Sequence, residues 1–127
     1  MSADERRLNE LSEAIIGCAY KISNALGAGF VEKVYENALA LKLRRIGLEV
    51  AQQQGIAVRY EDTIVGDFTF DLLVEKLVLI ELKAAKALED AHVAQCLNYL
   101  RATGLHLCLL LNFGRPRVEI RRVVLRL

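Results

Sequence analysis

The sequence predicts an α/β fold in which a mixed β-sheet is flanked by helices, with the element order α-α-β-β-β-α-β-β. Apolar residues recur at helical intervals in three segments, and β-forming residues fill five others that end in turn residues. Three strands meander before the third helix and two follow it, so we expect that helix to cross one face of the sheet. The 127 residues hold one proline and no linker, which favours a single domain over residues 1–127.

Three helices are predicted from the spacing of apolar residues and from glycines at their ends. The first spans Leu8–Leu26 and ends at the "GAG" that follows. The second spans about Phe30–Arg45 and ends at Gly47, and the third spans about Leu88–Thr103 and ends at Gly104.

Five strands are predicted from runs of β-forming residues. In order they are "EVAQQQGIAVRY", "TIVGDFTFDLLV", "KLVLIELKAA", "LHLCLLLNF" and "VEIRRVVLRL", with turns at Glu61-Asp62 and Glu75-Lys76 joining the first three. The fourth is almost entirely apolar, which is typical of a strand covered on both faces.

Composition narrows the classes of protein. No apolar run approaches the roughly 20 residues of a membrane span, and the polar "MSADERRLNE" is not a signal peptide. Cys18, Cys96 and Cys108 are widely spaced and odd in number, which argues against a disulfide framework and favours a reducing, cytoplasmic compartment with core thiols.

The charge is nearly balanced, at +1, so the chain as a whole is not a polycation. Its last segment, "RPRVEIRRVVLRL", nevertheless holds five arginines against one glutamate. A local basic edge and a solvated terminal strand both explain this segment.

Charged residues interrupt two of the predicted strands. In "VLIELKAAKAL", Glu81 and Lys83 share one strand face, and Asp71 interrupts the preceding strand. Pairing through the turn at residues 75–76 places Asp71 nearly opposite Glu81. Two carboxylates at such a place repel each other until one takes a proton or a cation joins them. The alternative is a half-exposed strand with a Glu81–Lys83 ion pair.

Polar residues also fall on predicted helix faces. Glu32 lies within roughly 20° of Leu39 and Leu43 around the second helix, on its apolar face; the alternative is a carboxylate that only stabilises the helix N-terminus. On the third helix, Gln95 and Tyr99 share a sector of about 60° with His92, which we interpret as a surface residue without a catalytic role.

Carboxylates and carbonyls are the ligands that Mg²⁺ and Mn²⁺ prefer. We predict a site in which Asp71, Glu81 and the main-chain carbonyl of Leu82 hold one such ion, with Glu32 completing the shell. Lys83 would assist the attacking water or the transition state, and Gln95 and Tyr99 would orient the lysine, the water or the phosphate. This set suits metal-assisted hydrolysis of phosphodiesters.

The same residues resemble a known signature. Asp71, nine intervening residues and then Glu81-Leu82-Lys83 is similar to the bipartite motif of the PD-(D/E)XK nuclease superfamily, and Gln95-x-x-x-Tyr99 resembles a further motif of its members. "GFVEKVY" at residues 29–35 has the spacing of the GxxExxY proteins within that superfamily, and "HVAQCLNYL" and "LLLNFG" are similar to their later segments. The resemblance implies a restriction-endonuclease-like core and a nuclease site acting on DNA or RNA.

Two other functions stay open. One is a catalytically inactive, nuclease-like binding or regulatory module, favoured by the balanced charge and by eight aromatic residues without tryptophan. The other is a homodimer formed through Val123, Leu125 and Leu127 on one face of the last strand.

Overall fold

The computed structural model describes residues 2–126. Its elements are α1 (Ala3–Leu26), α2 (Glu32–Arg45), β1 (Val50–Tyr60), β2 (Thr63–Val74), β3 (Val78–Lys83), α3 (Asp90–Thr103), β4 (Leu107–Asn112) and β5 (Glu119–Val124). This is the predicted order, and the predicted α/β class is confirmed.

The five strands form one mixed sheet in the order β1-β2-β3-β4-β5. Neighbours are antiparallel except β3 and β4, which are parallel, so α3 is the crossover between them. All six residues of β4 are buried, as its apolar run predicts. Within residues 2–126, no helix combines the length and the apolar character that crossing a membrane requires.

Both predicted hairpin turns are present. Glu61 and Asp62 have φ of 49° and 62°, and Glu75 and Lys76 have φ of 53° and 58°. Two consecutive residues with positive φ make the turn whose twist matches that of paired strands. The second turn fixes the β2–β3 register, in which Leu72 faces Ile80.

Two hydrophobic cores lie on the two faces of the sheet. Helices α1 and α2 cover one face, with Leu11, Ile15, Leu39 and Leu43 packed on Leu72, Ile80, Leu109 and Leu111. Helix α3 covers the other, where Cys96 and Leu100 pack with Leu79, Cys108 and Leu110. All three cysteines are buried free thiols, so their predicted place in the core is confirmed.

The β1–β2 hairpin changes faces halfway along its length. Leu72 and Val74 belong to the core under α1 and α2, yet Phe68 and Phe70, at the same alternation, belong to the core under α3. A regular strand keeps alternate residues on one face. The change falls at Asp71, opposite Gln53, whose φ of 52° is left-handed. The distal half of the hairpin therefore leans over α3.

The last strand differs from its prediction. Val123 is buried in the core under α3, and Leu125 packs against the same core. α3 of the same chain covers these two side chains, so they do not form a free apolar face, and the homodimer itself stays a prediction. Leu127, the third residue of that prediction, lies outside the described residues.

The loop that joins β3 to α3 is held by a buried amide. The side chain of Asn112 accepts a hydrogen bond from the amide of Ala85 (3.0 Å) and donates one to the carbonyl of Ala85 (3.0 Å). The amide of Gly114 donates to the same Asn112 oxygen (3.0 Å). Because this loop directly follows Lys83, the position of Asn112 fixes the end of β3.

We expect Gly114→Ala to lower the free energy of unfolding by roughly 1–3 kcal/mol, because its methyl group would overlap the Ala85 backbone. A Cβ at residue 114 would lie 2.5 Å from the nitrogen of Ala85. Urea unfolding measures the loss. The control is Gly17→Ala, where nothing lies within 4 Å and α1 should gain about 0.5–1 kcal/mol. A Gly114→Ala protein as stable as wild type would contradict the close approach.

Candidate active site

Strands β2 and β3 exchange hydrogen bonds through their carboxylates. The amide of Asp71 donates to Oε1 of Glu81 (3.1 Å), and the amide of Leu82 donates to Oδ2 of Asp71 (2.8 Å). Each carboxylate thus accepts a main-chain N–H of the other strand, where the regular ladder ends. The two acids lie side by side, at the place that the β2–β3 register predicts.

Glu81 is strongly affected by this arrangement. Its residue surface is only 4% exposed. Burial, and then the neighbouring charge of Asp71, raise the pKa of Glu81 to about 8. The hydrogen bond from the Asp71 amide and the charge of Lys83 oppose the shift without cancelling it. The pair therefore holds a proton at neutral pH unless a cation neutralises it.

Lys83 is half-buried and is oriented by α3. Its Nζ donates to Oε1 of Gln95 at 3.3 Å, which joins two of the predicted site residues. The ion pairs formed among residues 2–126 do not include Glu81 with Lys83. Glu81 and Lys83 therefore do not form the ion pair that was the structural alternative.

Tyr99 lies over the same centre. Burial, and then the charges of Glu81 and Asp71, raise the pKa of Tyr99 to about 12, so its hydroxyl stays protonated. Its ring stacks on Phe68 of the hairpin, with centroids 4.2 Å apart. About two turns earlier on α3, the half-buried His92 accepts a hydrogen bond from the main-chain amide of Glu89 in a capping box.

Glu32 is exposed, so its predicted place on a buried apolar face is wrong. It is the first residue of α2, and Phe30, Val31 and Val34 around it are exposed as well. The periodicity gave its direction around the helix axis correctly, but the first turn of α2 extends beyond the core. A residue's position along the axis decides burial, and periodicity carries no information on it.

Glu36, one turn later, is the buried carboxylate of α2, at 4% exposure. Its Oε1 accepts from Nε2 of Gln53 (2.6 Å), and its Oε2 accepts from Nε2 of Gln52 (2.8 Å) and from Nζ of Lys33 (2.9 Å). The side-chain amide of Gln53 also donates, through Nε2, to Oδ1 of Asp71 (3.2 Å). The side chain of Gln53 thus links Glu36 to Asp71.

Sequence reasoning missed Glu36 and Gln53 for different reasons. Glu36 stands three residues before Leu39 and seven before Leu43, so the helical spacing that drew attention to Glu32 also applied to it. Gln53 gave no signal, because its left-handed backbone is not encoded by its residue type.

The donor set at the centre fits a hard divalent cation with water in its shell. In the part of the chain from residue 2 to 126, no three His, Cys, Asp or Glu side chains are grouped so that they could hold a metal by themselves. Mg²⁺ needs no such group, because one or two carboxylates and several waters bind it in many proteins. Asp71 and Glu81 supply two carboxylates whose mutual repulsion a cation would relieve.

We expect the unusual pKa of Glu81 to appear in the stability of the metal-free protein. With a pKa of about 8 in the folded state against an ordinary 4.5 in the unfolded state, the unfolded chain releases this proton first as the pH rises. The contribution of Glu81 to the free energy of unfolding is therefore fully present below pH 4.5. It is lost as the pH rises towards 8, at up to about 1.4 kcal/mol per pH unit.

Urea unfolding in EDTA between pH 5 and pH 8 measures this loss. Glu81→Gln keeps an acceptor for the Asp71 amide and cannot titrate, so the difference between the variant and wild type isolates Glu81. Parallel pH profiles for the two proteins would contradict the raised pKa.

Comparison with known proteins agrees with this fold. The family model of the PD-(D/E)XK nuclease superfamily matches residues 9–123. A solved structure titled "Crystal structure of SSO0001" is similar with a TM-score of 0.57 and 17% identity, covering 98% of this chain. The chain spans 62% of the length of that structure, and at this identity the likeness shows the fold alone. No curated protein matches the chain. Because the family model covers most of its length, the chain belongs to the PD-(D/E)XK nuclease superfamily.

Proposed function

We propose that this protein is a metal-dependent nuclease that hydrolyses phosphodiester bonds in DNA or RNA. The observation that carries the proposal is the pair of carboxylates of Asp71 and Glu81, each of which accepts a main-chain hydrogen bond from the other's strand, close in sequence to Lys83. Burying an acid next to a second acid lowers the stability of the protein, and such groups are concentrated at functional sites. Membership in a nuclease superfamily supports the same activity.

Asp71, Glu81 and the main-chain carbonyl of Leu82 are the residues that would hold Mg²⁺ or Mn²⁺. When bound, such an ion polarises a phosphoryl oxygen and lowers the pKa of a bound water. Glu36 takes the supporting place that the sequence predicted for Glu32, since Glu36 is buried and shares the Gln53 amide with Asp71.

Lys83 supplies positive charge where a phosphate would lie. An ammonium group has three N–H donors, and the bond to Gln95 uses one of them. The others are available to a phosphate oxygen or to the attacking water. Gln95 limits the rotation of Lys83, and the protonated hydroxyl of Tyr99 is a further donor for the phosphate.

A groove beside the centre suits a nucleic-acid backbone. It lies between the β1–β2 hairpin and α3, and the charged residues that line it are Arg59 and Arg101. Tyr99, whose pKa responds to Glu81 and Asp71, lines the same groove. Positive charge in a groove that Tyr99 lines supports contact with the phosphates of a nucleic acid.

Three finer assignments belong to the same proposal. The "GFVEKVY" segment supports membership in the GxxExxY proteins. Three buried free thiols support a reducing, cytoplasmic compartment. The match of one family model over residues 9–123 supports a single domain.

We expect titration calorimetry to show saturable binding of Mn²⁺ or Mg²⁺ that Asp71→Ala abolishes. Glu36→Gln should weaken the affinity about tenfold, because it removes a charge that supports the ligand shell. Glu32→Gln is the matched control on the same helix and should bind like wild type. Absence of metal binding by the folded wild-type protein would remove the proposed activity.

We expect Lys83→Ala to keep the affinity for Mn²⁺ and to lower the cleavage rate by about 10²–10³, because it removes a charge that acts on the transition state. Cleavage of end-labelled single- and double-stranded DNA and RNA with Mn²⁺ measures the rate. Gln95→Ala should give a smaller loss, since Lys83 keeps its charge and loses only its orientation. A wild-type protein that binds metal and these nucleic acids but cleaves none would instead be a binding module.

A further inference from the structure

Gln53 combines a strained backbone with contacts to two carboxylates. Its φ of 52° is in the left-handed region, which residues other than glycine rarely adopt. It lies on β1 opposite Asp71, where the hairpin changes faces. Left-handed residues in strands often re-aim a side chain next to a functional site.

The contacts of two neighbouring residues show what the strain achieves. Nε2 of Gln52 and Nε2 of Gln53 both donate to the carboxylate of Glu36, at 2.8 and 2.6 Å. Consecutive residues of a regular strand point to opposite faces of the sheet and do not reach one carboxylate. The left-handed backbone at Gln53 is therefore what lets both amides face Glu36.

The same amide determines how Asp71 is oriented. Nε2 of Gln53 donates to Oδ1 of Asp71 (3.2 Å), while the amide of Leu82 donates to Oδ2 (2.8 Å). The carboxylate is thus held at both oxygens, by a neighbouring strand on each side. Without Gln53, Asp71 would keep one of these bonds and could rotate about it.

We infer that Gln53 is a positioning residue, which orients Asp71 and joins Glu36 to it. The inference rests on the proposed function, since it assigns Gln53 a part in the same metal-binding centre. This role also explains the strained backbone of Gln53. A regular backbone would be more stable but would turn the side-chain amide of Gln53 away from Glu36.

The test separates the backbone from the side chain. Gln53→Gly adopts a left-handed φ without strain and lacks the side-chain amide, so the hairpin should keep its backbone conformation while Glu36 and Asp71 lose a donor. Its affinity for Mn²⁺ should nevertheless fall 10–100-fold, as on removal of other groups that orient metal ligands. The control is Gln54→Gly, which places the glycine one residue later and should leave the affinity unchanged.

A second readout needs no metal. Hydrogen exchange of the Leu82 amide reports its bond to Asp71, and in Gln53→Gly it should become about tenfold faster while Leu79 in the same strand stays unchanged. A Gln53→Gly protein that binds Mn²⁺ like wild type and protects Leu82 equally would overturn the inference and leave the proposed function intact. If wild type binds no Mn²⁺, the proposed function fails, and the exchange of Leu82 still decides whether Gln53 orients Asp71.

Discussion

The crossed hydrogen bonds between β2 and β3, which the carboxylates of Asp71 and Glu81 accept, are the constraint on which the rest of the site depends. Strands β2 and β3 part at these residues, and main-chain amides that leave a ladder inside a protein need new acceptors. The amides of Asp71 and Leu82 find them in the two carboxylates. Closing the end of the ladder in this way also forces two acids together. Burial, and then the charge of Asp71 that this backbone requirement brings close, raise the pKa of Glu81.

The surrounding elements limit how the strain at this centre can relax. Glu81 cannot move towards water, because it is buried under α3, and Asp71 is tied to α2 through Gln53 and Glu36. Helix α3 is itself fixed by the loop that Asn112 holds. The remaining ways to lower the energy of the pair are a proton or a cation, and the second is compatible with catalysis at neutral pH.

The sequence predicted most of the fold and the pairing of the two acids, because both depend on local patterns. The β2–β3 register follows from the turn at Glu75-Lys76, and the juxtaposition of Asp71 and Glu81 follows from that register. Its errors concern features that no local pattern encodes. Glu32 points in the predicted direction around the axis of α2, but it lies at the end of the helix beyond the core. Val123 lies on an apolar face that α3, distant in sequence, covers. Gln53 depends on one backbone angle.

The change of face in the hairpin joins the site to its surroundings. Because β1 and β2 turn over at Gln53 and Asp71, the distal half of the hairpin brings Phe68 onto Tyr99 of α3. Phe68 and Tyr99, which stack on each other there, both line the groove between the hairpin and α3. A regular hairpin would place Phe68 on the opposite face, and Tyr99 would lose its stacking partner. The lean of the hairpin over α3, the stacking of Phe68 on Tyr99 and the contact of Gln53 with Asp71 therefore depend on the same break in alternation.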